Sequence, residues 1–358
     1  MARAIVTPDA LDCLQRDLCN MNQTTQTGFS MRRLYSAKSL TSIFIPILLL
    51  ILVASRFNYD WSQTWASLAS MDPWFYCFGF VSYYLSFLIR GFRWRVIARN
   101  VNVGLSDREE LPSVVNCSKL ILAGWFVNAI GWFRIGDAYR AYKFARDSRS
   151  RFSHILGTIL AERALDLATI VAVLVVVTGL FAAEQKSILA FYLLGITVLM
   201  LLLLVSVLLF LRFYGIKLVR VLPARFSQAY QGFQNSTLGS FKNLRLLIFL
   251  GTLGWLLEIA RLYFVIESLG LSISVPLIII VALGSSILST VPTPGGIGAV
   301  ESGVTALLMI SLGRPESLAV TLLDRSITYL SVVILGGAAF MMAQLMGNQY
   351  SSNEPDTS

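Results

Sequence analysis

Apolar runs of about twenty residues recur from Ser39 to Met342, and this feature constrains the chain more than any other. A run of that length matches the hydrocarbon core of a bilayer, where only α-helices and closed β-barrels satisfy their own backbone hydrogen bonds. The runs are continuous and do not alternate between apolar and polar residues, which favours helices over strands. The sequence therefore predicts an all-α, polytopic membrane protein.

Composition agrees with that class and indicates the partners. Hydrophobic residues make up 56% of the chain and charged residues only 14%, with a formal net charge of +9. The Lys and Arg residues cluster beside apolar runs and form no single soluble patch, so we expect anionic lipid headgroups as partners and no nucleic acid.

Cysteine, histidine and motif content argue against metal sites and catalysis. The four cysteines have no metal-ligand spacing, and His154 is the only histidine. No nucleophile elbow, P-loop, dinucleotide fingerprint or HExxH pattern occurs, and the loops are too short for a separate catalytic domain. We expect no disulfide, no metal, no cofactor and no enzymatic activity.

Hydropathy divides the chain into spans and interrupted segments. A polar, disordered extension is expected over residues 1–38, a transmembrane domain over 39–342 and a polar tail over 343–358. An uncleaved first helix is favoured over a secretory signal at 31–55. Two apolar segments, 114–133 and 276–312, contain glycines, prolines or asparagine and are not expected to form unbroken helices. The six predicted full spans are 39–57, 73–89, 155–181, 188–211, 246–269 and 317–342.

Loop charges predict the topology. The basic stretches 90–108, 134–151 and 212–245 should share the cytoplasmic side. That is possible only if segment 114–133 enters and leaves on one side as a re-entrant hairpin; segment 276–312 then enters from the opposite side. We expect a cell (inner) membrane location with both termini in the cytoplasm.

The layout also indicates an internal repeat. Each broken segment is followed by a long helix that carries charges, Glu162, Arg163 and Asp166 in the first half and Asp324 and Arg325 in the second. Because the two broken segments enter from opposite faces, the halves would be inverted, which is typical of transporter binding sites. Coincidence in a chain rich in Gly and Leu is the alternative.

Three motifs supply candidate site residues. The first contains glycines and closely spaced charges that suit a turn at a lipid phosphate, with a surface salt-bridge cluster as the alternative. It comprises Asn128, Arg134, Gly136, Asp137 and Arg140.

The second motif lies within apolar helices, where ionisable groups are costly. Its residues either line a polar path or form a structural ion-pair network that locks the helices together. It comprises Glu162, Arg163 and Asp166, with Asp324 and Arg325 in the second half.

The third motif is a Pro/Gly-rich reversal that ends one helix and begins another at membrane depth. Its acidic residue either caps the outgoing helix or handles a proton or cation. It comprises Pro292, Pro294, Gly295, Gly296, Gly298 and Glu301.

Three other features are interpreted as structural. Glu258 and Arg261 form an i, i+3 pair within one helix. Trp94 suits an interfacial anchor, and residues 213–242 suit a position along the cytoplasmic interface.

Taken together, these motifs resemble the flippase-like membrane domain of the lysylphosphatidylglycerol synthase superfamily over about residues 40–342. The residues that carry the resemblance are Arg93-Trp94, Asn128, Gly136-Asp137-Ala-Tyr-Arg140, Glu162-Arg163-Ala-Leu-Asp166, Pro292-Thr-Pro294-Gly295-Gly296-Ile-Gly298-Ala-Val-Glu301 and Arg325. At Gly131-Trp132-Phe133 the sequence departs from the Leu-Pro pair common in that family.

The resemblance implies a function. The soluble aminoacyl-transferase domain of the bifunctional members does not follow the last helix of this sequence, so it implies the lipid-translocating half. We expect about six transmembrane helices and two re-entrant hairpins in inverted repeats around a cavity for an anionic phospholipid or polyprenyl-phosphate headgroup. The alternative is a non-transporting scaffold or an accessory subunit of a lipid- or glycan-modifying system. A homo-oligomer or a lipid-modifying enzyme partner is compatible with either.

Overall fold

The computed structural model describes residues 61–101, 103, 111–184, 188–221 and 223–340. The extension 1–38, the first predicted span at 39–57 and the tail 343–358 lie outside these residues. The described part is helical and contains no β-strand, which confirms the all-α polytopic class. The helices are α1 Trp61–Ala69, α2 Pro73–Asn100, α3 Val114–Ile130, α4 Gly136–Asp147, α5 Phe152–Glu184, α6 Ile188–Val221, α7 Ala224–Gly239, α8 Leu244–Ser268, α9 Val275–Leu288, α10 Ala299–Leu308 and α11 Arg314–Arg325.

Four helical stretches among the described residues are long and apolar enough to cross a membrane. They are Pro73–Asn100 in α2, Leu194–Tyr214 in α6, Leu244–Ser268 in α8 and Arg314–Phe340, which begins with α11. Beyond Arg325 this last stretch continues in π-helical turns at Ser326–Leu330 and Val332–Gly336. Helix α5 has 33 residues and carries the charged motif in its first half.

The second broken segment forms a helical hairpin, as expected. Helix α9 has 14 residues and α10 has 10, so neither reaches the roughly 20 residues that a full span needs. A short 3₁₀ turn at Pro294–Gly296 lies between them, and the two helices pack against each other. We call α9, α10 and their connection hairpin 2.

The first broken segment differs from the expectation. Helix α3 is continuous from Val114 to Ile130, and Gly124 and Asn128 lie within it. The break falls at residues 131–135, and the return arm is α4, which packs on α3. Asn128 Oδ1 accepts a hydrogen bond from the Gly136 N–H at 2.8 Å and so ties the two arms together. We call α3, α4 and their connection hairpin 1.

The two hairpins have matching positions in the chain. Helix α2, hairpin 1 and α5 follow one another in the first half, and α8, hairpin 2 and α11 follow in the same order in the second. Helices α2 and α8 pack along each other at the centre. This order agrees with the predicted repeat, and its inverted orientation stays a prediction.

Helix α2 extends further than its predicted span of 73–89, and this changes the interpretation of the residues after it. Arg93 and Trp94 lie inside the helix and are buried, at 2% and 0% exposure. The Trp94 indole N–H donates to Thr158 Oγ1 at 3.2 Å. The interpretation of Trp94 as an interfacial anchor was wrong, because its ring packs within the protein against Phe144.

The basic stretches used for topology also contribute fewer loop charges than the sequence suggested. Arg90 and Arg93 lie within α2, and Arg140 of the second stretch is buried at 1% exposure in α4. These three arginines face protein carboxylates, so they carry no information about the cytoplasmic side. The cytoplasmic placement of both termini stays a prediction.

Residues 213–242 are not simply a surface stretch. Helix α6 continues to Val221, and α7 packs against α5 with Gln234, Ser236 and Thr237 buried. The Gln234 side chain donates to the Leu211 carbonyl oxygen at 2.7 Å. Helix α7 therefore forms part of the protein core on that side.

Close contact between the arms of hairpin 1 generates a prediction. A methyl group at Gly136 would overlap the Gly124 carbonyl oxygen of α3, so Gly136→Ala should force the arms apart. We expect a loss of about 1–3 kcal/mol, the usual cost of overpacking, measured as a lower thermal unfolding midpoint in detergent. Gly195→Ala is the matched control, because nothing lies within 4 Å of its added methyl. Equal midpoints for the two variants would contradict the packing shown here.

Candidate functional site

A cavity of about 360 Å³ lies where the connections of the two hairpins meet. Two hydrogen bonds join the hairpins and their surroundings at this point. Arg134 Nη1 of hairpin 1 donates to the Ser289 carbonyl oxygen of hairpin 2 at 3.2 Å, and Tyr329 donates to the Ala129 carbonyl oxygen at 3.3 Å. Residues from α2, α5, α8 and the π-helical turns complete the walls. Both broken segments of the sequence therefore end at one cavity.

Aromatic rings form much of the wall, and arginines lie over them. Arg90 lies between two indoles, with its guanidinium carbon 5.5 Å from the Trp125 ring centre and 5.0 Å from that of Trp255. Arg325 lies 4.8 Å from the Tyr329 ring centre. Cation–π contacts of this kind are strongest where water is excluded. They fix the guanidinium planes at the cavity edge.

Arginines and carboxylates are concentrated around this cavity. We call them the charge cluster. Its members are seven arginines, Arg90, Arg93, Arg134, Arg140, Arg163, Arg261 and Arg325, and six carboxylates, Asp137, Glu162, Asp166, Glu258, Glu301 and Asp324.

In the first half, ion pairs connect hairpin 1, α2 and α5. Arg93 of α2 contacts Asp166 of α5 at 2.7 Å and Glu162 at 3.3 Å. Arg163 of α5 contacts Asp137, in the first turn of α4, at 2.9 Å. Asp166 is only a secondary partner of Arg163, at 4.0 Å, so the i, i+3 pair expected within α5 is the weaker of the two.

The second half repeats this chemistry between the corresponding helices. Arg261 of α8 pairs with Asp324 of α11, as Arg93 of α2 pairs with Asp166 of α5. Arg325 of α11 contacts Glu301, in the first turn of α10, at 2.7 Å. In each half the central helix holds the long helix, and the long helix holds the return arm of the hairpin. The internal repeat is thus supported by side-chain partners as well as by helix order.

Burial divides these pairs into two kinds. The side chains of Arg93, Arg261 and their partners are at most 6% exposed. Two of the pairs that hold the hairpins are more open, at 29% and 23% for Arg163 and Asp137 and at 12% and 20% for Arg325 and Glu301, whereas the Arg140–Glu162 pair between α4 and α5 is buried. An ion pair that retains access to water loses less free energy when it breaks. The buried pairs fix the scaffold, and the open pairs are the ones that can exchange partners.

The connection of hairpin 2 requires its glycines. Gly295, Gly296 and Gly298 have φ values of 58°, 71° and 88°, which favour residues without a Cβ. Glu301 Oε2 accepts from the Gly298 N–H at 2.6 Å, as the capping interpretation predicts. Its other oxygen holds Arg325, whose Nη2 also donates to the Gly295 carbonyl oxygen at 3.0 Å. One carboxylate thus caps α10 and fastens it to α11.

The connection of hairpin 1 achieves its reversal without glycine at the strained positions. Phe133 and Arg134 have φ values of 59° and 53°. Left-handed backbone at residues with a Cβ costs free energy and persists only where the surroundings fix it. Arg134 is one of these two residues, and its guanidinium contacts hairpin 2.

Seven of the sixteen residues predicted from the sequence line the cavity, namely Asn128, Arg134, Asp137, Arg163, Asp166, Gly295 and Arg325. Asp324 and Glu301 pair with two lining arginines, Arg261 and Arg325. Glu162 pairs with Arg93 and Arg140 behind the cavity wall. Pro292, Pro294, Gly296 and Gly298 shape the hairpin 2 connection, and Gly136 shapes hairpin 1.

Arg140 lies away from the cavity wall. The sequence predicts it beside Arg134 at a lipid phosphate, but its side chain is 1% exposed and contacts Glu162 at 2.9 Å and Asp137 at 3.2 Å. Its guanidinium also lies 5.1 Å from the Trp94 ring centre. Arg140 therefore supports the site from within the protein.

Sequence reasoning missed several lining residues. Glu258 and Arg261 were interpreted as structural, and their i, i+3 contact at 3.3 Å is confirmed, but both also line the cavity. Arg90 was assigned to a loop, and the aromatic residues carried no signal in a chain rich in them. The repeat offered the only available clue, because Arg261 precedes hairpin 2 as Arg93 precedes hairpin 1. The missed lining residues include Tyr83, Arg90, Trp125, Trp255 and Tyr329.

The buried pairs generate a prediction for Arg93. Arg93→Gln would leave Asp166 and one oxygen of Glu162 without their buried cation, which typically costs about 3–5 kcal/mol. We expect a large fall in the thermal unfolding midpoint of the purified protein. Arg95→Gln serves as the control, because Arg95 lies one half-turn further along α2 and, among the described residues, donates to the neutral Pro112 carbonyl oxygen. A midpoint for Arg93→Gln equal to that of Arg95→Gln would refute the role given to the pair.

The chain resembles archaeal membrane proteins over much of their length. It is 27% identical over 231 residues to the UPF0104 membrane protein MJ1078 of Methanocaldococcus jannaschii, covering 61% of this chain and 94% of that protein. It is 25% identical to the UPF0104 membrane protein PH1989 of Pyrococcus horikoshii, covering 71% and 83%. It is 24% identical over 339 residues to a second M. jannaschii protein, MJ1595, covering 87% and 97%. The names of these relatives state a membrane location and no activity.

A family model covers the region that contains the hairpins and the charge cluster. The model of the lysylphosphatidylglycerol synthase TM region matches residues 39–336, which is most of the chain. The match spans both halves of the repeat and every member of the charge cluster. This protein is therefore a membrane protein of the lysylphosphatidylglycerol synthase TM region family.

Proposed function

We propose that this protein moves lipids or lipid-linked headgroups between the two leaflets of a membrane, with the headgroup passing through the cavity between the hairpins. One observation carries the proposal: two matching, partly exposed ion pairs, one in each half, hold the two hairpins against the same cavity. Transporters built from inverted repeats bind their substrates at such a junction of interrupted helices.

The dimensions of the cavity favour a headgroup as the part that enters. Its volume is at the small end of the range for ligand pockets, about 300–1,000 Å³. The outer faces of the helices are apolar, as at Leu199 and Leu203, which are each 68% exposed. Acyl or polyprenyl chains can remain against such faces while the polar group occupies the cavity. The proposal includes no chemical step on the lipid.

The open ion pairs provide a gating mechanism. We call Arg163–Asp137 latch 1 and Arg325–Glu301 latch 2. Both arginines line the cavity, so an anionic headgroup there competes with Asp137 or Glu301 for a guanidinium. Release of the carboxylate loosens the return arm of one hairpin from its long helix; in hairpin 1 the buried Arg140–Glu162 pair keeps α4 attached to α5. Opening of one hairpin while the other stays latched would expose the cavity to one leaflet at a time.

The buried pairs keep the scaffold fixed during this exchange. Arg93 and Arg261 hold α5 and α11 to the central helices α2 and α8 through carboxylates that are at most 6% exposed. Breaking them would leave charges in a medium of low dielectric constant, at a far higher cost than breaking a latch. Motion is therefore confined to the hairpins.

A membrane scaffold or accessory subunit is the second candidate. The observation that favours it is the complete pairing of the six carboxylates in the cluster. In that case the latches only stabilise the fold, so exchanging the charges with Arg163→Asp and Asp137→Arg should preserve function. In a translocator the exchange would place a carboxylate where the headgroup binds and abolish transport.

Replacement of Arg163 by Ala tests the translocator proposal. Asp137 would keep Arg140 and Asp166 would keep Arg93 as partners, so we expect the variant to fold. Loss of the latch and of one headgroup contact should slow leaflet exchange about 10–100-fold. The assay measures exchange of fluorescent phospholipids and polyprenyl phosphates in liposomes that contain the purified protein.

Two further variants control the assay. Arg325→Ala removes the equivalent latch of the second half and should reduce exchange similarly. Arg99→Ala changes an exposed arginine in the last turn of α2 and should exchange lipid at the wild-type rate. Wild-type exchange in Arg163→Ala, or no exchange of any lipid by the folded wild-type protein, would contradict the proposal.

A further inference from the structure

We infer that the cavity is a site for a single-charged phosphodiester headgroup, with Arg134 as the residue that neutralises it. The inference rests on the proposed function, because it takes the cavity as the headgroup site and names the class of headgroup. It excludes phosphomonoesters and headgroups whose net charge is zero as preferred ligands. Its basis is the charge balance of the cluster and the position of Arg134.

The cluster contains one more arginine than carboxylates. Each of the six carboxylates contacts at least one arginine, and six of the seven arginines contact a carboxylate. Arg134 is the exception: it forms no ion pair with any carboxylate in the described ranges. Its guanidinium donates instead to a neutral acceptor, the Ser289 carbonyl oxygen. The cluster thus has one uncompensated positive charge, and it lies on the cavity wall.

The repeat shows that this charge is an addition to a balanced framework. Arg134 lies three residues before Asp137, and the position three residues before Glu301 is Gly298. The matched pairs of the two halves balance each other, whereas Arg134 has no basic counterpart in hairpin 2. Its left-handed backbone, with φ of 53°, adds a local cost at the same residue. A positive charge without a carboxylate partner in such surroundings calls for an anionic ligand.

A second polar group in the wall has no partner within the described residues. Trp255 is 6% exposed and lines the cavity, and its indole N–H has no hydrogen-bond acceptor there. Buried indole N–H groups usually find an acceptor. A phosphate oxygen is a suitable acceptor for it, and the guanidinium groups of Arg134 and Arg163 line the same cavity.

Charge matching selects among phosphate-containing headgroups. A phosphodiester carries one negative charge and would make the occupied cluster neutral. A phosphomonoester carries about −1.5 to −2 at neutral pH, so it would leave excess negative charge in a medium of low dielectric constant. An ammonium group on a zwitterionic headgroup would need a free carboxylate, and all six in the cluster are engaged with arginines.

Binding can be measured separately from transport. The probes are four soluble compounds titrated calorimetrically into the purified full-length protein: dihexanoyl phosphatidylglycerol, dihexanoyl phosphatidic acid, dihexanoyl phosphatidylcholine and glycerophosphoglycerol. We expect dihexanoyl phosphatidylglycerol to bind at least about tenfold more tightly than the phosphatidic acid or the phosphatidylcholine. Tighter binding of either of those two would overturn the inference.

Variants of Arg134 test the residue. Arg134→Gln should weaken binding of dihexanoyl phosphatidylglycerol about tenfold or more, and Arg134→Lys, which keeps the charge, should restore most of it. Arg99→Gln is the control for loss of one arginine and should bind like wild type. Unchanged binding in Arg134→Gln would overturn the inference.

The fourth probe separates this inference from the proposed function. Glycerophosphoglycerol presents the same phosphodiester without acyl chains, so weaker binding than that of the dihexanoyl lipid supports a lipid source. Equal binding of the two, lost in Arg134→Gln, would confirm the phosphodiester site and contradict lipid translocation. Selective phosphatidylglycerol binding without leaflet exchange would likewise leave the site standing and remove the transport function.

Discussion

Pairing between arginines and carboxylates inside the helical bundle is the constraint on which the rest of this structure depends. Charged groups away from water are tolerated only when opposite charges and hydrogen bonds compensate them. Here Arg93 and Arg261 reach from the two central helices to Asp166 and Asp324. These contacts determine how α5 and α11 lie against the centre, and the hairpins take their positions from α5 and α11. The cavity exists because the hairpins then end opposite each other.

The same pairs explain how a sequence without obvious catalytic motifs can contain a defined site. Aliphatic packing in a membrane offers little directional information, because lipid chains are as apolar as leucine. Ion pairs supply direction, since a guanidinium donates its N–H groups to carboxylate oxygens only along a few directions. A repeated set of such pairs builds one cavity from two similar halves, and one additional arginine gives the charge cluster a net positive charge.

The sequence predicted those parts of the fold that depend on local composition. Long apolar runs indicated the helices, and the prolines and glycines around Pro292–Gly298 indicated the hairpin 2 connection. It failed where tertiary contacts override local signals. Basic residues such as Arg90 and Arg93 looked like loop charges, because the carboxylates that pair with them lie 69 or more residues away in the chain. Gly124 looked like a helix breaker, but its missing side chain serves the close approach of α4. For the site, the sequence indicated the charged motifs by their depth in apolar helices. It did not indicate that Arg163 pairs with Asp137 or Arg325 with Glu301, because those contacts depend on how the hairpins fold.

The π-helical turns after Arg325 give α11 a property that its counterpart α5 does not show in its described residues. A π turn accommodates one residue more than an α turn, so it shifts the angular register of everything that follows it. Upstream of the turns, Arg325 holds Glu301; at their C-terminal end, Gly336 and Gly337 lie against Phe126 of α3. Conversion of these turns to α-helix would rotate Gly337 and the residues after it about the helix axis relative to Arg325. The second half therefore differs from the first: π-helical turns lie between Arg325, which holds hairpin 2, and Gly337, which packs on hairpin 1.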